Sequence, residues 1–384
     1  MNVHNPIVYP ILGALVADAA SLGFHWLYNQ SRIREIAGKT PAFRTPTASD
    51  YQGTQGYFAH GHKLAGDFSQ YGEQAMVLLR SLVKNDCQYN RADYEKLFYE
   101  HFGYGGRYVG YIDHPTRDTL NNITTAEADA VKRAEMIPFP GDNSTKTHLI
   151  KKVLGLVKTT EGQELQRQVK ELAENTGEGK STLHYALAVM EKLKLVNDYH
   201  GADDEQLPAI AKLPALVAVY QGNDQLKNVV ESAVRVTNNN KLAVQFGQTA
   251  ATMIVSAMQT RNPEIAITRG CGSAAPKVAS LIHKAISLKN EDNTAVTSKF
   301  GTSCNLAFGV PALAHNAITA GSYREAVQKN IYAGGDSCGR AILLGALLGA
   351  AYGVGGEKGI PLEWIDKLKE KNELEALLGK LHPA

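Results

Sequence analysis

The residues best placed to do chemistry are Asp336, Ser337 and Cys338, in the run Gly334-Gly335-Asp336-Ser337-Cys338-Gly339-Arg340. The run opens directly into the apolar stretch 341–350. Two glycines allow a tight backbone turn, Asp336 can cap the first helical turn, and the free N–H groups beyond it can hold an anion or orient that carboxylate. Asp336 is a candidate for activating water and Cys338 a candidate nucleophile at a helix N-terminus, a position that lowers thiol pKa. The plainer reading is a capped core helix in which Gly345 and Gly349 let a second helix approach closely.

Four further clusters hold polar residues where apolar ones would be expected. Asp18 falls in the middle of the apolar run 11–26, and His25 shares its face two turns on. A buried carboxylate needs partners, so Asp18 either serves a neighbouring helix terminus or acts directly in a site. In 66–76, Asp67 or Ser69 can cap a helix whose first turn carries Glu73, where a negative charge suits the dipole; Tyr71 lies beside it. The loop 200–208 brings Asp203 and Asp204 to a helix start, and 300–305 does the same for Cys304.

The elements that must position these residues read as helix after helix. Apolar spacing of helical period marks 11–26, 69–83, 91–99, 144–157, 164–173, 182–194, 207–220, 226–237, 243–258, 276–287, 305–320, 324–332, 337–352 and 362–378. No segment reads as a convincing strand, and no fixed-period repeat appears. The expectation is a single all-α domain over 1–384. Two polar loops, 38–70 and 104–122, are long enough to build a site rather than merely connect helices.

Composition narrows the function classes. A chain of 384 residues, 44% hydrophobic and 20% charged, can bury a large core. Its net charge of +2 is spread without a basic, aromatic-laced run, which argues against nucleic acid as a partner. The apolar start is interrupted by Pro10 and carries Asp18 and His25, with no Lys or Arg before Arg32, which argues against a signal or membrane segment. Cys87, Cys271, Cys304 and Cys338 form no paired metal-binding spacing, and they fit a reducing cytoplasm.

Taken in order, Gly13-Ala14-Leu15-Val16-Ala17-Asp18-Ala19, the Glu73-Gln74 helix, the Asp203 loop, Gly334-Gly335-Asp336-Ser337 and Ile360-Pro361-Leu362-Glu363-Trp364 resemble the ADP-ribosylglycohydrolase family. The segments His25-Trp26-Leu27-Tyr28, 69–74, Gly301-Thr302-Ser303-Cys304 and Gly335-Asp336-Ser337-Cys338 are similar to the branch that includes the jellyfish lens crystallins of the J type. The resemblance spans nearly the whole chain. It implies an orthogonal all-α bundle and hydrolysis of a ribosyl bond to a protein side chain or a small molecule, with an ADP-ribose-like or other small-molecule substrate the expectation for this chain.

It also implies two magnesium ions, held by Thr-Asp-Asp-Thr on an early helix and Gly-Gly-Asp-Thr-Asp-Thr on a late one, and here this chain departs from the pattern. Aligned on Gln74, the early aspartates become Tyr71 and Gly72, with Glu73 in place of the final threonine; in the late motif Cys338 replaces the second aspartate and Gly339 the final threonine. Two dications about 4 Å apart repel by about 17 kcal/mol at an effective dielectric near 20, so the pair needs a cage of carboxylates. With three acids missing, the expectation is no dinuclear site and room for one weakly held Mg2+ at Asp336, Ser337 and Glu73.

Three functions follow. The first is a glycosidic hydrolase in which Glu73 or Asp336 activates water and Asp203 or Asp204 assists as acid, with Asp18, His25, Tyr71 and Cys304 lining the substrate crevice. The second is a thiol mechanism on Cys338, with or without Cys304. The third is a catalytically silent, crystallin-like binding or structural protein.

Overall fold

Two helices that touch backbone to backbone organise the larger part of the molecule: Tyr9–Ser21 and Ser337–Tyr352, each buried along nearly its whole length. A Cβ on Gly13 would stand 2.2 Å from the Gly345 carbonyl oxygen, one on Gly345 2.2 Å from that of Gly13, and one on Gly349 2.4 Å from that of Tyr9. Only glycine permits this approach. The Tyr323 hydroxyl closes the crossing by donating to the Gly13 carbonyl at 2.5 Å. The stretch Pro6–Phe24 is long and apolar enough to cross a bilayer, yet it is spent as core, almost all of it buried inside the fold.

The structure is a computed structural model that describes residues 5–160, 162–176 and 179–384. Among the described residues the fold is all-α, with no strand and only isolated β-bridges between extended segments. Contacts divide the chain into two compact units, one of residues up to Thr116 joined with Ala202–Ala384, the other Arg117–Gly201. Each has a core of its own. In the second unit Leu149, Ile150, Val153 and Val157 meet Leu165 and Val169, and Ala186, Val189, Met190 and Leu193, at helical spacing on Asn143–Thr159, Gly162–Asn175 and Gly179–Leu193.

Most expected helices form, with four instructive differences. The first ends at Ser21 and gives way to a 3-10 turn, Leu22–Phe24, so His25 is extended rather than one more residue on the Asp18 face. The backbone of 26–28 finds better partners elsewhere: Trp26 N–H donates to Gly335 O at 2.8 Å and Tyr28 N–H to Gln55 O at 3.0 Å. The loop expected over 104–122 stops at His114, where a helix, His114–Glu135, begins behind the cap Asp113. Residues 362–378 split into Leu362–Ile365 and Lys371–Leu378, because the chain between them turns to let Lys369 N–H reach Gly66 O at 3.0 Å. Three further helices, Gln30–Ala37, Pro263–Ser273 and Asn293–Phe300, are short or weakly apolar and escaped the periodicity. The loop over 38–70 is real, broken only by the 3-10 turn Ala48–Tyr51.

Candidate functional site

Asp336 is held from both chain and side chain. Gly334 and Gly335 take left-handed φ of 73° and 66°, and a Cβ on Gly335 would lie 2.1 Å from Thr302 O. Gly335 N–H donates to Leu27 O, and Asp336 N–H to Thr302 O, both at 2.8 Å. Leu27 thus sits between two extended partners, Gly335 on one side and Gly56 on the other. Beneath the turn, Arg340 donates from Nε to Asn330 Oδ1 at 2.9 Å and from Nη2 to the Gly334 carbonyl. Burial pulls this guanidinium down to about 10 against the opposing pull of Asp336.

The Asp336 carboxylate is fully buried and accepts three hydrogen bonds: from Gly339 N–H at 2.8 Å and His25 Nε2 at 2.9 Å on Oδ1, and from the Tyr71 hydroxyl at 2.6 Å on Oδ2. Burial alone would raise its pKa. The hydrogen bonds from His25, the Tyr71 hydroxyl and the Gly339 amide outweigh it and hold the carboxyl below its ordinary value. Tyr71 is driven well above the usual phenol range by burial and then by Asp336, so it stays a donor. His25 continues the chain through Nδ1, 2.7 Å from Nε2 of His60.

A second buried carboxylate behaves differently. Asp18 accepts from Ser69 N–H at 2.8 Å and from the Ser69 hydroxyl, at the start of Gln70–Lys84. Gly72 gives it room, since a Cβ there would meet Asp18 Oδ2 at 2.4 Å. Burial raises Asp18 to about 7, more than the Ser69 bonds lower it. Asp113 follows the same rule at about 6, raised by burial and helped by the charges of Asp336 and Asp204. Its oxygens accept from Gln70 Nε2 at 2.8 Å and Thr116 N–H at 2.9 Å.

Of the residues expected to line one crevice, the structure brings Asp336, His25 and Tyr71 into direct contact, and Cys338 beside Asp18, its thiol 3.6 Å from the Asp18 carbonyl. Glu73 leaves this group: it pairs with Lys63 at 3.2 Å and His101 at 2.9 Å, which hold it below the ordinary carboxylate range despite burial. Asp203 is exposed and bonded by Asn240 at 2.7 Å. Asp204 is half-buried and spent on Gln206 and Asn238. Cys304 donates to Gln206 Oε1 at 2.8 Å; burial, then Asp336, push its thiol up to about 12. Cys338 is raised well above the thiol range by burial and by Asp18 and Asp336. Both sulfurs are therefore protonated, and neither is an activated nucleophile as it stands.

Magnesium does not fit this donor set. Both oxygens of Asp336 already accept N–H or O–H donors, and Glu73 is taken by two basic side chains. Among the described residues no group of three or more His, Cys, Asp or Glu is arranged to hold a metal ion. Four residues of the site, His60, Lys63, His101 and Asp113, are absent from the sequence expectation. Only Asp113 left a signal: an acid followed by His114 and Pro115 is a helix start.

Residues 6–384 match the ADP-ribosylglycohydrolase family, and the chain belongs to it. Two crystallins of the jellyfish Tripedalia cystophora are similar to it. Crystallin J1A is 27% identical over 368 residues, covering 95% of this chain and 92% of its own, and Crystallin J1B is 26% identical over 374 residues with the same coverage. A solved structure described as an ADP-ribosylglycohydrolase-related protein complex superposes with a TM-score of 0.54 at 15% identity, over 98% of this chain and 97% of that one. That likeness shows the all-α fold.

Proposed function

We propose that this protein hydrolyses a glycosidic bond of a ribosyl-type small molecule, ADP-ribose-like compounds being the first class to test, at a site remodelled away from paired magnesium. The observation that carries the proposal is a buried carboxylate, Asp336, aligned by the His25, Tyr71 and Gly339 donors and held below its ordinary pKa, with a second buried acid, Asp113, that feels its charge and is raised to about 6. An ionised and a protonatable acid in one neighbourhood are what glycoside cleavage needs, one to activate water or steady the developing positive charge, the other to protonate the leaving oxygen. In this reading Asp113 takes the acid role that the sequence offered to Asp203 or Asp204. Tyr71 and His25 keep Asp336 aligned. Four free cysteines support a cytoplasmic setting.

A silent, crystallin-like role is the second reading, favoured by the crystallin relatives and by the complete burial of Asp336, His25 and Tyr71. A thiol mechanism is disfavoured by the raised thiols.

The test is a panel of ribosyl and ADP-ribosyl compounds, with released sugar followed by chromatography. Turnover is expected in wild type, a loss of about 10³-fold or more in Asp336→Asn, and a change of less than about two-fold on adding chelator. Absence of turnover across the panel, or full activity in Asp336→Asn, would overturn the reading in favour of the silent one.

A further inference from the structure

We propose that His60 is a positioning residue: by donating from Nε2 to Nδ1 of His25, it fixes His25 as the neutral Nε2–H tautomer that serves Asp336. The argument is a count of protons. An ionised carboxylate can only accept, and Asp336 faces His25 through Nε2 at 2.9 Å, so that nitrogen carries a proton. A neutral imidazole has only one. Nδ1 of His25 is then a bare lone pair, and the atom 2.7 Å away, His60 Nε2, must supply the hydrogen.

His60 in turn is left with a bare Nδ1, and that atom is a buried nitrogen with no hydrogen-bond partner. An unmet buried acceptor is tolerated better than an unmet buried N–H. The opposite arrangement, an imidazolium at His25 donating to both neighbours, would put an orphaned N–H at His60 Nδ1. Burial and the nearby Lys63 charge keep His60 neutral, well below the ordinary histidine range. The two rings are seated together: His60 lies nearly parallel to His25 with centroids 4.9 Å apart and to Trp26 at 6.2 Å, while the Tyr51 hydroxyl donates to the His25 carbonyl at 2.7 Å.

The consequence is that Asp336 receives a hydrogen bond from His25 without a full counter-charge, so its negative charge stays available to a substrate. That catalytic meaning rests on the hydrolase reading; the tautomer does not. The test is nuclear magnetic resonance of the whole protein with ring-15N histidine, His25 being assigned by comparison with His25→Gln. At neutral pH, His25 and His60 are both expected as Nε2–H with a bare Nδ1. His60→Gln, whose amide can donate at the same place, should preserve the His25 signal, and His60→Phe, which offers no donor, should leave the Nε2 proton facing Asp336 and move the Nδ1 signal of His25 away from its wild-type position, towards the protonated form.

Finding His25 or His60 as Nδ1–H in wild type, or an unchanged His25 in a folded His60→Phe, overturns the proposal. If His60→Phe does not fold, the wild-type tautomers and His60→Gln decide. A protein that shows these tautomers but cleaves no glycoside sinks the hydrolase reading alone; one that cleaves glycosides with the other tautomers sinks this one alone.

Discussion

Asp336 and Asp18 are both fully buried, and both accept from a backbone N–H at a helix start, yet their charges diverge. Asp336 adds a histidine and a phenol to its amide donor and stays ionised; Asp18 adds only the Ser69 hydroxyl and is raised to about 7. Desolvation is the largest influence on each. What differs is the number and strength of the donors set against it, and a helix start alone is too weak to win.

The comparison can be broken most forcefully at Asp336. Asp336→Ala strands the His25, Tyr71 and Gly339 donors, and a loss of about 5 kcal/mol is expected in denaturant unfolding, enough to threaten the fold.

Asp18→Asn sharpens it by pH. Because the folded carboxyl is raised above its unfolded 3.8, Asp18 costs the protein stability as pH climbs from there through about 7. The asparagine, which mimics the protonated acid, should remove that slope and leave the variant up to about 4 kcal/mol more stable than wild type at pH 8. Asp336 works in the opposite sense, its lowered carboxyl stabilising above the unfolded value and losing that contribution only in acid. Thermal melts of wild type and Asp18→Asn from pH 4 to 8 would read the Asp18 slope, and that of Asp336 would show only in melts carried below pH 4. An Asp18→Asn curve parallel to wild type would mean that Asp18 is ionised after all.

The smallest effect is expected at the sulfur between them. Cys338→Ser keeps a donor near the Asp18 carbonyl, and a change below about 1 kcal/mol with turnover retained is expected. Abolished turnover would restore the thiol mechanism.

Much of this was legible before any coordinates. Asp336 after two glycines announced a cap, and Asp18 stood out because a carboxylate in an apolar helix is costly unless something answers it. His25 stands out as a polar residue at helical spacing from Asp18 in an apolar run, and Tyr71 as one beside Glu73 at a helix start. What the sequence concealed is the identity of the answering groups. His60 lies in a loop reading Ala59-His60-Gly61-His62, with no periodicity to give it a face. Lys63 and His101 claim Glu73 from segments on either side of its helix, a pairing that no spacing encodes. Asp113 stands in a polar stretch whose composition reads as loop through 122, which masks the helix that starts behind it.

The glycine seam between the first and last core helices has a bearing on how such a protein changes over generations. With main chain resting directly on main chain, the frame that sets the two acids relative to each other owes almost nothing to the side chains around them. Ligands, thiols and phenols can be exchanged at the rim while the frame keeps its dimensions, so a lineage could abandon one chemistry and try another without first having to refold.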